Sequence, residues 1–257
     1  MLNFRNSNLI LGSLLLLMVV AYVVNPFPLG YILLPFLLWL LVVAYGCYRI
    51  DSGFFMEVLC KGEDGKKIMA MTFDDGPSAE HTPKILDILH AAGIKASFFC
   101  IGKNIGGNEN ILRRIHEEGH MIGNHSYSHH FGFDFFSAGR MVADLRQADA
   151  SISAILNVTP RMFRPPYGVI NPNVRKTILE GNYFPVGWNI RSFDTLIRNP
   201  KRLKDRIITR FSPGAVLLLH DSGIFTAEIL NEIIHESQRQ GYQWVTIDQL
   251  LNIKPYA

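Results

Sequence analysis

Ile68-Met-Ala-Met-Thr-Phe-Asp-Asp-Gly-Pro77 decides the fold of this chain. A short apolar run ends on two adjacent carboxylates, and Gly76-Pro77 then forces a turn. Further on, Ile85, Leu86, Ile88 and Leu89 lie at helical spacing between Pro83 and Ala92, and Lys95–Ile101 is the next strand. The alternation repeats: a helix over Asn110–Glu118, a strand at His120–Gly123, and a long amphipathic helix over Ser137–Leu156. Strands at Met162–Arg164, Phe184–Trp188 and Ala215–Leu219 are separated by helices at Asn173–Glu180 and Pro200–Phe211. A helix over Ala227–Gln240 precedes a last strand at Trp244–Thr246. Strand-then-helix order with short connections predicts a parallel α/β sheet, and about seven strands over this length suit a small barrel.

In such folds chemistry gathers at the carboxyl ends of the strands. Asp74 and Asp75 follow the first strand, His125 and His129 the third, Arg164 the fourth, Asp194 the fifth, and His220 and Asp221 the sixth. Each group alone has a plainer reading: an acidic turn capping a helix, a histidine-rich loop, a stiff proline loop, a satisfied half-buried histidine. Together they predict a site. His125-Ser-Tyr-Ser-His129 puts two imidazoles at i and i+4, on one face if the turn is helical. With Asp75 they make a two-histidine, one-carboxylate set with open positions, as in catalytic metal sites. Arg164-Pro-Pro-Tyr-Gly168 reads as a rigid wall, with the Tyr167 amide as an oxyanion donor and Arg164 paired to a carboxylate. His220 closes an apolar strand and reads as a general acid.

The rest of the chain differs in kind. All 22 acidic residues and all nine histidines lie beyond Arg49, and nothing charged stands between Arg5 and Arg49. Two apolar runs, about 9–25 and 31–48, flank Asn25-Pro-Phe-Pro-Leu-Gly30, which predicts a transmembrane helical hairpin over residues 1–48. A mixed linker over 49–67, with a charged turn at 61–67, leads to the catalytic domain at 68–257. No small-x-small cleavage site follows the first run, which argues against a signal peptide. The lipid bilayer is therefore an expected partner and the expected location is a bacterial cell membrane. Arg5 and Arg49, read literally by the positive-inside rule, put both ends in the cytoplasm. A net charge of +3 without a basic stripe excludes nucleic acid as a partner. Cys47, Cys60 and Cys100 are too scattered for a disulfide framework or a cysteine metal site, and Cys100 reads as a core residue.

In order along the chain, Thr72-Phe-Asp-Asp-Gly-Pro77, His125-Ser-Tyr-Ser-His129, Arg164-Pro-Pro-Tyr-Gly168, Trp188 to Asp194 and Leu218-Leu-His220 strongly resemble the motifs of the polysaccharide deacetylase family, the carbohydrate esterases that include the rhizobial chitooligosaccharide deacetylase. The resemblance runs from about Ile68 to Leu251 and leaves out the hairpin. It implies a distorted (β/α) barrel of about seven strands and hydrolysis of N-acetyl groups on a peptidoglycan- or chitin-like glycan. It implies Asp74 as catalytic base, one divalent metal ion, most often zinc, on Asp75, His125 and His129, and Arg164 orienting the base. His220 is the implied acid, Asp194 the partner that keeps it protonated, and Pro166, Trp188 and Leu218 the implied substrate contacts.

One motif departs from the family. Where Asp-x-x-Asp-Trp is usual, the chain reads Arg191-Ser-Phe-Asp194-Thr195. An added cation at Arg191 suits an anionic substrate or works against protonated His220. A lipid-linked sugar or another N-acyl substrate at a membrane is the alternative reading of the substrate. A non-haem iron oxygenase shares the ligand set but not the β/α alternation or the acid. An inactive carbohydrate-binding protein would have lost Asp74 or a ligand, and none is lost.

Overall fold

A computed structural model of the chain describes residues 2–63, 65–223 and 225–257; Asp64 of the charged turn lies outside the described residues. Two helices come first: α1, Phe4–Val24, and α2, Leu33–Tyr48, joined through a 3-10 turn at Leu29–Ile32. The first helix begins five residues before the expected position, because the Asn3 side chain accepts the Asn6 N–H at 2.9 Å and caps it. Phe4–Val24 has 21 residues and Leu29–Tyr48 has 20, both long and apolar enough to cross a membrane. At about 1.5 Å per residue each matches a hydrocarbon layer of about 30 Å. Trp39 Nε1 donates to Asn8 Oδ1 at 2.9 Å and ties one helix to the other.

Residues 49–67, expected as a linker, are packed. Ile50, Phe54, Phe55, Val58 and Cys60 are buried. Leu59 pairs in parallel with Val186, and Lys61 pairs antiparallel with Ala215.

The remainder alternates as the sequence predicts: β1 Ile68–Asp74, α3 Thr82–Ala91, β2 Ser97–Cys100, α4 Glu109–Glu117, β3 Met121–Asn124, α5 Ala138–Leu156, β4 Met162–Phe163, α6 Pro172–Gly181. Then follow β5 Phe184–Pro185, β6 Ile190–Arg191, α7 Pro200–Ile208, β7 Val216–His220, α8 Thr226–Arg239, β8 Gln243–Val245 and α9 Ile247–Leu251. The sheet order is β5-β4-β3-β2-β1-β7-β6, with β8 also on β1, and every pairing is parallel. This is a distorted, open barrel whose end strands β5 and β6 do not pair with each other.

The strand expected over Phe184–Trp188 stops at Pro185 as β5, and a further short strand that was not expected, β6, follows at Ile190–Arg191, so the sheet has eight strands where about seven were expected. The physical reason is Arg164. Its guanidinium takes the Val186 and Gly187 carbonyls, at 3.4 and 2.9 Å, so these two oxygens are used by a side chain instead of a strand ladder.

Alternation along β1 sorts its side chains. Met69, Met71 and Phe73 face outward and pack with Ile85, Leu86 and Leu89 of α3 and Ile229, Leu230 and Ile233 of α8. Ala70 packs inward with Phe99, Met162 and Val216, which leaves Thr72 and Asp74 on the inner face. The same alternation turns Leu217 and Leu219 of β7 outward and Leu218 and His220 inward. Register then sets Asp74 beside His220 at the carboxyl rim.

Candidate active site

Asp74 ends β1 and is almost fully buried. The next residue, Asp75, takes φ +79°, so the chain folds back and both carboxylates reach the same cleft despite being sequence neighbours. No Cβ fits at Gly76, where it would lie 2.0 Å from Asp221 Oδ2. The cleft, about 210 Å³, is also lined by His125, His129, Tyr167, Trp188, Leu218 and His220. It is smaller than a typical drug-sized pocket of roughly 300–1,000 Å³, and suits an acyl group with the edge of one ring.

Arg164 runs through the barrel interior, fully buried. It donates to Asp74 Oδ1 at 2.7 Å and Thr72 Oγ1 at 2.8 Å, and its guanidinium stacks on Phe99 with the carbon 4.2 Å from the ring centre. With the two carbonyls of 186 and 187, these contacts satisfy a charge that would be very costly to bury alone. Burial raises the Asp74 pKa, and the charges of Arg164 and His220 oppose it. The expected carboxylate partner of Arg164 is therefore Asp74.

Asp75, His125 and His129 form a cluster with one ligating atom from each lying within 4.8 Å of the others. Asp75 Oδ1 lies 3.6 Å from His125 Nε2 and 3.5 Å from His129 Nε2. Ligands at about 2.0–2.1 Å from a tetrahedral ion stand roughly 3.3 Å apart, so the set fits a divalent cation. His125 Nδ1 is 2.7 Å from the Arg164 carbonyl, which fixes the tautomer and points the Nε2 lone pair at the cluster. Burial, then His129, pushes the His125 pKa down to about 3, which favours the neutral imidazole that a metal ligand needs.

The two histidines do not sit on a helical turn. Ser126 has φ +64° and His129 φ +42°, and the loop is shaped by groups outside the motif. Asp144 on α5 accepts the Tyr127 N–H at 2.7 Å, Asn124 Oδ1 accepts that of Ser126 at 2.7 Å, and Ser126 Oγ accepts that of His129 at 3.0 Å. Sequence reading missed Asp144 and Asn124. The only signal was a carboxylate beside the buried Leu145 on an otherwise amphipathic helix.

On the opposite wall, His220 meets Asp194: Nδ1 to Oδ1 at 2.8 Å, and its backbone N–H to Oδ2 at 2.6 Å. Ser192 and Thr226 hydroxyls donate to the same carboxylate, each at 2.9 Å. Burial works against charge on the imidazole, but the bond and charge of Asp194, then Asp74 and Asp75, push it up to about 9.

Tyr167 lines the cleft with φ +59°, a left-handed residue at the tip of the proline loop. Gly168 follows at φ +71°, and a Cβ there would lie 2.3 Å from the Trp188 ring. Pro165 lines the cleft, and Pro166, the expected substrate contact, stands next to it; both are buried. Arg191 also lines the cleft, its guanidinium carbon 5.6 Å from the Trp188 ring centre and 4.9 Å from that of Phe193. Among the described residues it forms no ion pair.

Residues 61–185 match the family described as polysaccharide deacetylase. A peptidoglycan-N-acetylglucosamine deacetylase of Bacillus cereus is 33% identical over 196 residues, covering 74% of this chain and 91% of that protein. The peptidoglycan-N-acetylmuramic acid deacetylase PdaA of Bacillus subtilis is 32% identical over 194 residues, covering 74% and 73%. A solved peptidoglycan N-acetylglucosamine deacetylase superposes with a TM-score of 0.73 at 30% identity, over 78% of this chain and 95% of that one.

Proposed function

The chain belongs to the polysaccharide deacetylase family, and from that premise we propose that it is a membrane-anchored, metal-dependent hydrolase that removes N-acetyl groups from an acetamido sugar of a glycan. One observation carries the reading. The cation-ready cluster of Asp75, His125 and His129 and the Arg164-paired Asp74 face the imidazole of His220, held by Asp194, across a cleft of acyl-group size.

A divalent ion, with zinc suited to two imidazoles and one carboxylate, would supply Lewis-acid polarisation of the acyl carbonyl and a more acidic water. The chain supplies the rest. Asp74, held by Arg164, accepts the proton of the attacking water. The backbone N–H of Tyr167, a residue that lines the cleft, is the donor proposed for the oxygen that gains charge as the carbonyl carbon becomes tetrahedral. His220, kept protonated by Asp194, gives its proton to the departing nitrogen, so that acetate and a free amine result. Trp188 and Leu218 bound the space for the acetyl methyl group.

Two relatives are named for different sugars of peptidoglycan, so the sugar here is a matter for assay. Arg191, a cation at the cleft without a carboxylate partner among the described residues, favours a substrate that carries an anionic group. A lipid-linked acetamido sugar is the second reading, favoured by the contact of the cleft wall with the hairpin: the Ile170 N–H donates to the Cys47 carbonyl at 3.1 Å.

Hairpin residues support the anchor. Tyr22, Phe27 and Tyr31 cluster at the turn, while Tyr45 and Tyr48 are exposed at the other end beside Arg49, as expected of a span with aromatic belts. The experiment is acetate release by purified full-length protein with zinc, over peptidoglycan, chitooligosaccharides and lipid-linked acetamido sugars. Release from none of them, with zinc bound, overturns the proposal.

A further inference from the structure

The globular part exposes few large apolar side chains among the described residues: Phe131, Phe135, Tyr167, Leu179 and Leu196. Phe131 and Phe135 are the extreme cases, 85% and 90% exposed. Single exposed apolar residues need no explanation, but these two flank one another on one loop, and that loop is fixed at both faces.

On its inner face, Phe133 and Phe136 are buried in the cluster that holds Ile50, Phe54 and Phe55 and, packed against it, Phe4, Val42, Val43 and Cys47 of the hairpin. On its other side the loop touches the site. His129 is a cluster residue, its ring is 5.0 Å from that of Tyr167, and His130 stacks on Phe131 at 4.6 Å. Asn171 Nδ2 donates to the Asp134 carbonyl at 2.7 Å, which ties the chain just after the proline loop to the phenylalanine loop.

The distance to the hairpin is short. Ile170 bonds to Cys47 in the last turn of α2, and Tyr167 stands three residues before Ile170. Steps of about 3.8 Å bring the cleft wall to within roughly 11 Å of that bond. A headgroup layer is about 5–8 Å thick on each side of the hydrocarbon. The hairpin therefore brings the cleft mouth and the two exposed phenylalanines close to the same boundary.

We propose that Phe131 and Phe135, continuous with the end of the hairpin, form a bilayer-seating surface that holds the catalytic mouth in the headgroup layer. The proposal rests on the hairpin spanning the membrane, as inferred above, and adds a lipid contact made by the globular domain itself. Its occupant is the lipid of the chain's own membrane, because the buried face of this loop is already part of the contact with the hairpin. Arg140, in the first turn of α5 just after the loop, has its guanidinium carbon 3.4 Å from the Phe136 ring centre and places a cation beside the loop, where lipid phosphates are expected.

The test uses the full-length chain in phosphatidylcholine vesicles, with and without bromine on the acyl chains. In the unaltered chain, quenching of Trp39 reports that the hairpin is inserted. In a Trp39→Phe background, tryptophan is then placed singly by Phe131→Trp, Phe135→Trp or Arg239→Trp. Arg239 ends α8 at the amino-terminal side of the barrel, away from the cleft. The expected result is brominated-lipid quenching of the first two tryptophans, well above the background of Trp188 and Trp244, and none at 239. Quenching of Trp39 without quenching at 131 or 135, or equal quenching at 239, overturns the seating surface and leaves the hairpin standing. Absence of Trp39 quenching overturns the hairpin reading first.

Discussion

Asp194 grips His220 at two points, accepting its backbone N–H at 2.6 Å and meeting its ring Nδ1 at 2.8 Å. The grip fixes the ring's position as well as its proton. Against the desolvation of burial, it lifts the imidazole from an ordinary value near 6.5 to about 9.

The first prediction follows from that sign. The raised value keeps His220 protonated at neutral pH, and kcat/KM should fall as pH rises toward 9. A cation beside Asp75 offsets part of the acidic pull, so in the loaded enzyme the fall begins lower. Asp194→Asn removes the main support and should shift the descending limb by a unit or more to lower pH. The same linkage stabilises the fold fully below about pH 6.5 and is lost as pH rises through about 9. A kcat/KM profile of Asp194→Asn that overlays the parent would show that another group sets the limb.

Acid and base separate by leaving group. Asp74→Asn should retain the metal and lose turnover on every substrate. His220→Ala should lose about 10²–10⁴-fold on an N-acetyl sugar, the usual value of a positioned proton donor. It should lose much less on 4-nitrophenyl acetate, whose leaving group needs no proton. Equal losses on both substrates would give His220 another role.

Metal content is the direct check of the cluster. His125→Ala should weaken zinc binding by more than the 10–100-fold seen for outer-sphere changes. Elemental analysis of the purified variant against the parent measures it, and unchanged stoichiometry would remove His125 from the ligand set.

Arg164 carries the stability prediction. Arg164→Ala leaves the Asp74 carboxylate buried without its partner and should cost about 3–5 kcal/mol in denaturant unfolding. Arg164→Lys should not rescue it, because one ammonium cannot meet Asp74, Thr72 and the carbonyls of 186 and 187 at once. Full stability in the lysine variant would mean that charge alone, without the planar fork, suffices.

Much of this was legible in the chain because strand alternation and rim placement are local properties. Asp74, Asp75, His125, His129, Arg164, Asp194 and His220 fall where β/α order puts them, and the structure gathers all of them. What was not legible depends on long-range contacts. The histidine pair would share one face of a helical turn, but Asp144 and Asn124, reaching in from α5 and β3, hold a loop with left-handed residues instead. The break between β5 and β6 comes from a guanidinium some twenty residues earlier, and no window of sequence around Gly187 shows it. The packed course of 49–67 depends on partners more than a hundred residues away.

That last segment has a consequence for how the barrel ends. Its two outermost strands, β5 and β6, never meet, and a sheet edge left bare invites pairing with a stranger. Leu59 covers the chain just after β5, and Lys61 catches the residue just before β7, so one short piece of backbone acts as a clasp over the seam. The clasp lies upstream of every catalytic motif. A fragment cut just before Ile68 would keep the whole chemical apparatus yet present a raw edge to its neighbours, and should self-associate; one that begins at Arg49 keeps the seam fastened.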